Sequence, residues 1–190
     1  MELRLFLGIL SAIVDFLAYV FYIKSIIDRE NEPNRASWII WTIVKLFVVV
    51  GSFSIGARNT LWLPLSQMIG NGIIAVMAIG GGSNYWSKID KTCIWLTLTS
   101  VVFLFFRMPF LNLIVLMFIE TLGVIPTVSK LTRSSDQENL PAWVLIFVAT
   151  LLSVLSLNIW TFQLWLYPVY LLALNGSILT LVIFSLKRRK

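Results

Sequence analysis

The stretch LWLPLSQMIGNGIIAVMAIG, residues 61–80, decides the fold class of this chain. It is as long as the roughly 20 apolar residues that a helix needs to cross a lipid bilayer. In a soluble protein its Asn71-Gly72 pair would predict a tight hairpin turn. Inside an apolar run of this length, the pair instead predicts a helix that carries a buried amide at membrane depth.

Composition places the whole chain in the same class. Of its 190 residues, 58% are hydrophobic and 13% are charged, against about 25% charged in an ordinary soluble domain. The net charge is +6, but the basic residues lie between apolar runs and in the tail, so we expect no nucleic-acid partner. The chain has no histidine and a single cysteine, Cys93. With no phosphate loop or catalytic constellation either, we expect no enzyme, no metal and no cofactor.

Seven apolar segments predict an all-α membrane protein with seven transmembrane helices. They cover residues 5–27, 36–56, 61–80, 91–108, 109–130, 141–158 and 162–185. With the N-terminus outside, eleven Lys and Arg residues fall in the inner loops and tail and three, Arg4, Arg58 and Arg107, fall outside. Because basic residues favour the cytoplasmic side, this predicts a multi-pass protein of the lipid bilayer with a cytoplasmic C-terminus.

An internal repeat relates the first three segments to the last three. PLSQMIGNG (64–72) matches PVYLLALNG (168–176), where Pro is followed seven residues later by Asn-Gly. Trp143 follows Trp38 by 105 positions, as Glu120 follows Asp15. We therefore predict two parallel three-helix bundles, 1–82 and 109–190, joined by a linker helix in 83–108. The alternative is a chance match between two apolar triplets.

Three ionisable residues, Asp15, Lys45 and Glu120, fall near the middle of predicted spans. Charges at that depth are costly, so we expect them to face the protein interior. An Asp15–Lys45 pair is the simplest arrangement, and it would leave Glu120 as a proton carrier. The alternatives are a purely structural ion pair beside a permanently protonated Glu120, or a Lys45 that attracts an anionic solute.

The three-plus-one-plus-three plan resembles the SWEET and PQ-loop transporters. The Pro-Gln pair of that family is reduced here to Pro126-Thr127 in the second copy and to Phe21-Tyr22 in the first. The vitamin transporters of the nicotinamide riboside type are similar in plan and in their use of Trp and Asn. The resemblance implies a carrier whose bundles rock, with Pro126 as a hinge, around a central site.

The resemblance also implies that an asparagine on the third helix of each bundle, Asn71 and Asn175, holds the substrate. The alternative is that each amide only bonds neighbouring helices together. Aromatic residues are expected to line or gate the same cavity, namely Tyr19, Tyr22, Trp38 and Trp143. The two tryptophans could instead be anchors at the membrane interface.

These features predict a carrier that moves a small polar solute, such as a sugar, vitamin or nucleoside, by alternating access, with or without coupling to protons. The alternative is a membrane receptor or regulatory subunit on the same scaffold. A homo-oligomer is compatible with either function. The sequence specifies neither the substrate nor the direction of transport.

Overall fold

The computed structural model describes residues 2–30, 33, 35–81, 88–133 and 139–187. Over these residues the chain is helical, with no strand. Seven α-helices are present, and a short 3-10 turn, Asn59–Leu61, precedes the third. The helices are α1 (Glu2–Ile27), α2 (Arg35–Ser54), α3 (Trp62–Gly81), α4 (Lys88–Phe105), α5 (Pro109–Arg133), α6 (Leu140–Leu155) and α7 (Phe162–Lys187). Each matches one predicted segment to within a few residues, so the predicted all-α fold of seven helices is confirmed.

The lengths and surfaces of the helices indicate a membrane protein. Four helical segments are long and apolar enough to cross a bilayer: Glu2–Ile27, Ser37–Ser54, Asn59–Ile79 and Phe162–Lys187. Shorter apolar stretches are Ile94–Phe105, Pro109–Val124 and Leu140–Leu155. Large apolar side chains cover the outside of the molecule, where a soluble protein would carry charges. Helices suit this environment because they satisfy their own backbone hydrogen bonds.

Local signals account for several of the helix ends. Proline is the first residue of α5 and the second of α6, where its missing N–H costs no helical bond. The Asn139 side chain caps α6 by accepting a 2.9 Å hydrogen bond from the Ala142 N–H. Gly56 has a φ of 91°, which lets the chain turn between α2 and the 3-10 turn.

The main packing contacts of α1–α3 recur among α5–α7. Helix α3 packs against α1 and α2, as α7 packs against α5 and α6. The two sets meet where α1 packs on α6 and where α5 packs on α2. Helix α4 packs on α5 and α2. Helix α3 lies between the backbones of α1 and α2, which meet through side chains such as Tyr22 and Trp38.

Candidate functional site

A pocket lies where α1, α2, α3, α5, α6 and α7 converge. It is open rather than sealed, and it holds about 440 Å³ of empty space with its open mouth included. Helix α2 contributes Trp38, Trp41 and Lys45, from its first turn to its middle, and α6 contributes Trp143 and Ile146 from its first half. The pocket therefore reaches from the middle of the molecule towards the end at which α2 and α6 begin.

Pairs of residues at equivalent positions in the two halves of the sequence line this pocket together. The separation within a pair is 105 positions for α1, α2, α5 and α6, and 104 for α3 and α7. The pairs are Tyr19 with Val124, Trp38 with Trp143, Trp41 with Ile146, Gln67 with Leu171, and Asn71 with Asn175. A lining made from equivalent positions is what a cavity on an axis between two copies would have.

The amide side chains give the pocket its hydrogen-bonding groups. Both predicted asparagines line the pocket and are buried. The Tyr19 hydroxyl donates a 2.6 Å hydrogen bond to Asn71 Oδ1. Asn175 Nδ2 and Gln67 Oε1 are buried without a partner among the described residues. The residues of the pocket lining therefore include one unpaired amide donor and one unpaired amide acceptor.

Tyr19 owes its position to Gly70 rather than to the glycines that follow the asparagines. A Cβ at Gly70 would overlap the Tyr19 ring, whereas a Cβ at Gly72 would lie 3.6 Å from the Thr42 methyl group in ordinary contact. The close approach is thus between the backbone of α3 at Gly70 and the Tyr19 ring. It brings the Tyr19 hydroxyl to Asn71.

We expect Gly70→Ala to lower the stability of the protein by about 1–3 kcal/mol, the usual cost of an overpacked core. Gly72→Ala is the matched control, since it adds the same methyl group in the same helix without a clash. It should be neutral or stabilising, because alanine favours a helix over glycine by about 1 kcal/mol. Melting temperatures of the two variants check this, and equal losses would contradict the tight Gly70–Tyr19 contact.

The tryptophans that pair across the repeat are walls of the pocket. Trp38 is 6% exposed and Trp143 is 5% exposed, so both side chains face the protein interior rather than the molecular surface. Tyr22 packs on Trp38 at a ring distance of 5.0 Å but does not line the pocket. Trp41 meets Trp38 edge to face at 5.2 Å and does line it. Sequence reasoning missed Trp41 as a site residue, although its spacing of three from Trp38 places both on one helix face.

A buried ion pair lies at the inner edge of the pocket, and it differs from the predicted one. Lys45 donates to Glu120 in a salt bridge and to the Tyr167 hydroxyl at 2.8 Å. The predicted Asp15–Lys45 pair is wrong. The physical reason is the helix order, because α3 separates α1 from α2 while α5 packs directly on α2. Tyr167 was not predicted, and its position just before Pro168 gave no indication of this role.

The remaining predicted residues lie outside the pocket lining. Asp15 is fully buried, and neither of its carboxylate oxygens has a hydrogen-bond partner among the described residues. Pro126 falls within the helical range of α5, but its side chain lies outside the described part of the chain, as does that of Thr127. The hinge role of Pro126 stays a prediction.

The opposite end of the molecule is held together by side chain to backbone contacts. Arg4 at the start of α1 donates to the Leu155 carbonyl at the end of α6. Asn59 Nδ2 donates to the Ser156 carbonyl at 3.4 Å. A second, open cavity lies there, of about 400 Å³ with its mouth included, and Arg58, Asn59 and Asn158 are in its lining. Two cavities thus lie on either side of a packed middle layer.

Comparison with family models, curated proteins and solved structures finds no match to this chain.

Proposed function

We propose that the protein is a seven-helix membrane carrier that moves a small polar solute through the pocket by alternating access. The observation that carries the proposal is the lining by equivalent residues of the two halves. In this account α1–α3 and α5–α7 are two parallel bundles, α4 links them, and the solute site lies on the axis between them. The corresponding packing contacts of α1–α3 and α5–α7 support the same arrangement.

The chemistry of the pocket favours a solute with a flat or ring-shaped body and hydrogen-bonding groups at its edge. Three tryptophans and a tyrosine supply aromatic faces, and amides supply donors and acceptors. Lys45 and Glu120 neutralise each other, which favours a neutral solute over an anion. A sugar, a nucleoside or a related vitamin has these properties.

The two ends of the molecule fit one state of an alternating-access cycle. The bias of basic residues places the starts of α2 and α6 in the cytoplasm. In that orientation the solute pocket opens inward, and the Arg4 and Asn59 contacts close the outer end. Rocking one bundle against the other would break these contacts and open the pocket to the second cavity.

Uptake into proteoliposomes tests the proposal. We expect the purified protein to take up at least one of four labelled probes, glucose, uridine, nicotinamide riboside or serine, and excess unlabelled solute to compete with it. Arg4→Ala should change the rate of uptake, because it removes a contact that closes the outer end. Specific binding of a probe without uptake would indicate a receptor on this scaffold and would contradict the carrier.

A further inference from the structure

Asp15 is a buried acid that forms no ion pair among the described residues. Its helix, α1, packs on α3, on α6 and on the 3-10 turn. None of the residues 59–81 and 140–155 that form these elements is ionisable. The nearest base, Lys45 on α2, is bound to Glu120 and Tyr167. Tyr19, on the same helix as Asp15, interacts electrostatically with both Asp15 and Glu120, but neither the phenol nor the second acid can supply a positive charge.

The surroundings of this carboxyl group are also short of hydrogen-bond donors. Ser66 and Gln67 of α3 lie close enough to act on this carboxyl group as weak donors, but neither has hydrogen-bond geometry to it, and the Ser66 hydroxyl donates to the Ala12 carbonyl at 3.1 Å. Both Asp15 oxygens and Gln67 Oε1 are buried acceptors without a donor among the described residues. An unpaired buried carboxylate costs many kcal/mol unless a proton neutralises it. One proton between Asp15 and Gln67 would supply both the missing charge and the missing donor.

We propose that Asp15 carries an exchangeable proton and that Gln67 passes its protonation state to the solute pocket. When Asp15 is neutral, its O–H donates to Gln67 Oε1, and the Gln67 NH₂ group is left to face the pocket. When Asp15 is ionised, it accepts from that NH₂ group, and Gln67 Oε1 is left to face the pocket. Protonation thereby changes Gln67 from an acceptor to a donor for the solute. The coupling to transport rests on the proposed carrier function, whereas the proton site does not.

The two halves of the molecule would then use equivalent acids differently. Glu120 follows Asp15 by 105 positions and forms the ion pair with Lys45. The position in α6 that corresponds to Lys45 is Thr150, whose hydroxyl donates to the Phe147 carbonyl. One acid is therefore neutralised by a lysine and the other, in this proposal, by a proton. This assigns proton binding to Asp15 rather than to Glu120.

Infrared difference spectroscopy of the protein in lipid vesicles tests the proton site without any solute. We expect a C=O band of a protonated carboxyl group that weakens as the pH rises and shifts when H₂O is replaced by D₂O. Asp15→Asn should abolish the band, and the paired change Lys45→Met with Glu120→Gln should keep it. Gln67→Leu should move the band, because the acceptor of the Asp15 O–H is lost.

Each departure from this pattern overturns part of the proposal. A spectrum without an Asp15-dependent band, or with a band that neither titrates nor exchanges in D₂O, would overturn the exchangeable proton. An unmoved band in Gln67→Leu would overturn the link to the pocket. If Asp15→Asn fails to fold, the wild-type titration and the Gln67→Leu spectrum still decide the question.

Transport measurements then separate this proposal from the proposed function. With a probe that the wild type transports, we expect a pH gradient to drive accumulation and Asp15→Asn uptake to lose its response to that gradient. Accumulation driven by a sodium gradient instead would overturn the proton assignment. An Asp15 band that titrates, together with no uptake of any probe, would contradict the proposed carrier function but support the proton site. Uptake that does not depend on pH, in a protein without the Asp15 band, would support the proposed carrier function and overturn the proton site.

Discussion

Removing Lys45 should destabilise this protein more than removing Lys45 and Glu120 together. Both side chains are buried, at 3% and 5% exposure, and breaking a buried pair leaves an uncompensated charge at a cost of about 3–5 kcal/mol. We expect Lys45→Met to lose stability in this range. Adding Glu120→Gln should restore much of the loss, because neither charge then remains. Reversible unfolding in detergent micelles measures these differences.

The identity of the rescuing partner makes this test specific. Lys45→Met combined with Asp15→Asn is the matched control, since it also removes one lysine and one acid. It should not restore stability, because Glu120 would still be buried without its base. Rescue by Asp15→Asn but not by Glu120→Gln would contradict the observed Lys45–Glu120 pair and would identify Asp15 as the partner of Lys45.

Truncating Trp38 should cost about 3–5 kcal/mol, the usual range for loss of a buried aromatic side chain. Trp38 is packed between Tyr22 and Trp41, at ring distances of 5.0 and 5.2 Å. Trp160, which is 59% exposed near the start of α7, is the matched control. We expect Trp38→Ala to lower the melting temperature strongly and Trp160→Ala to lower it little. Equal effects would mean that Trp38 is no more than a membrane anchor.

The helices could be predicted from sequence because a bilayer sets their length and composition. Once LWLPLSQMIGNGIIAVMAIG is treated as a spanning segment, the other six segments follow from the same criterion. The residues that line the pocket could be anticipated in part. Asn71, Asn175, Trp38 and Trp143 occur at positions that the proposed repeat relates, and all four line the pocket.

Partners across the molecule could not be predicted, since hydropathy does not specify which helices are neighbours. Lys45 and Asp15 lie on consecutive segments, yet α3 separates them and Lys45 meets α5. Gln67 was missed although it lies four residues before Asn71 and hence on the same helix face. The boundaries of the two predicted bundles, 1–82 and 109–190, and the orientation of the chain stay predictions.

The central claim is that the pocket between the two halves binds the transported solute. Paired measurement of uptake and melting temperature on Asn175→Ala tests it most directly, because Asn175 Nδ2 has no partner among the described residues. Losing one neutral hydrogen bond to the solute should cost about 1 kcal/mol, or roughly five-fold in uptake at low solute concentration, with an unchanged melting temperature. Asn71→Ala should lower both quantities, because Tyr19 loses its acceptor.

Ser177→Ala, on the exposed side of the same helix, is the control for this measurement. It should change neither uptake nor stability. The account predicts a folded Asn175→Ala protein with weakened uptake. Unchanged uptake in well-folded Asn175→Ala protein, or a loss of uptake that only follows the loss of folded protein, would contradict it.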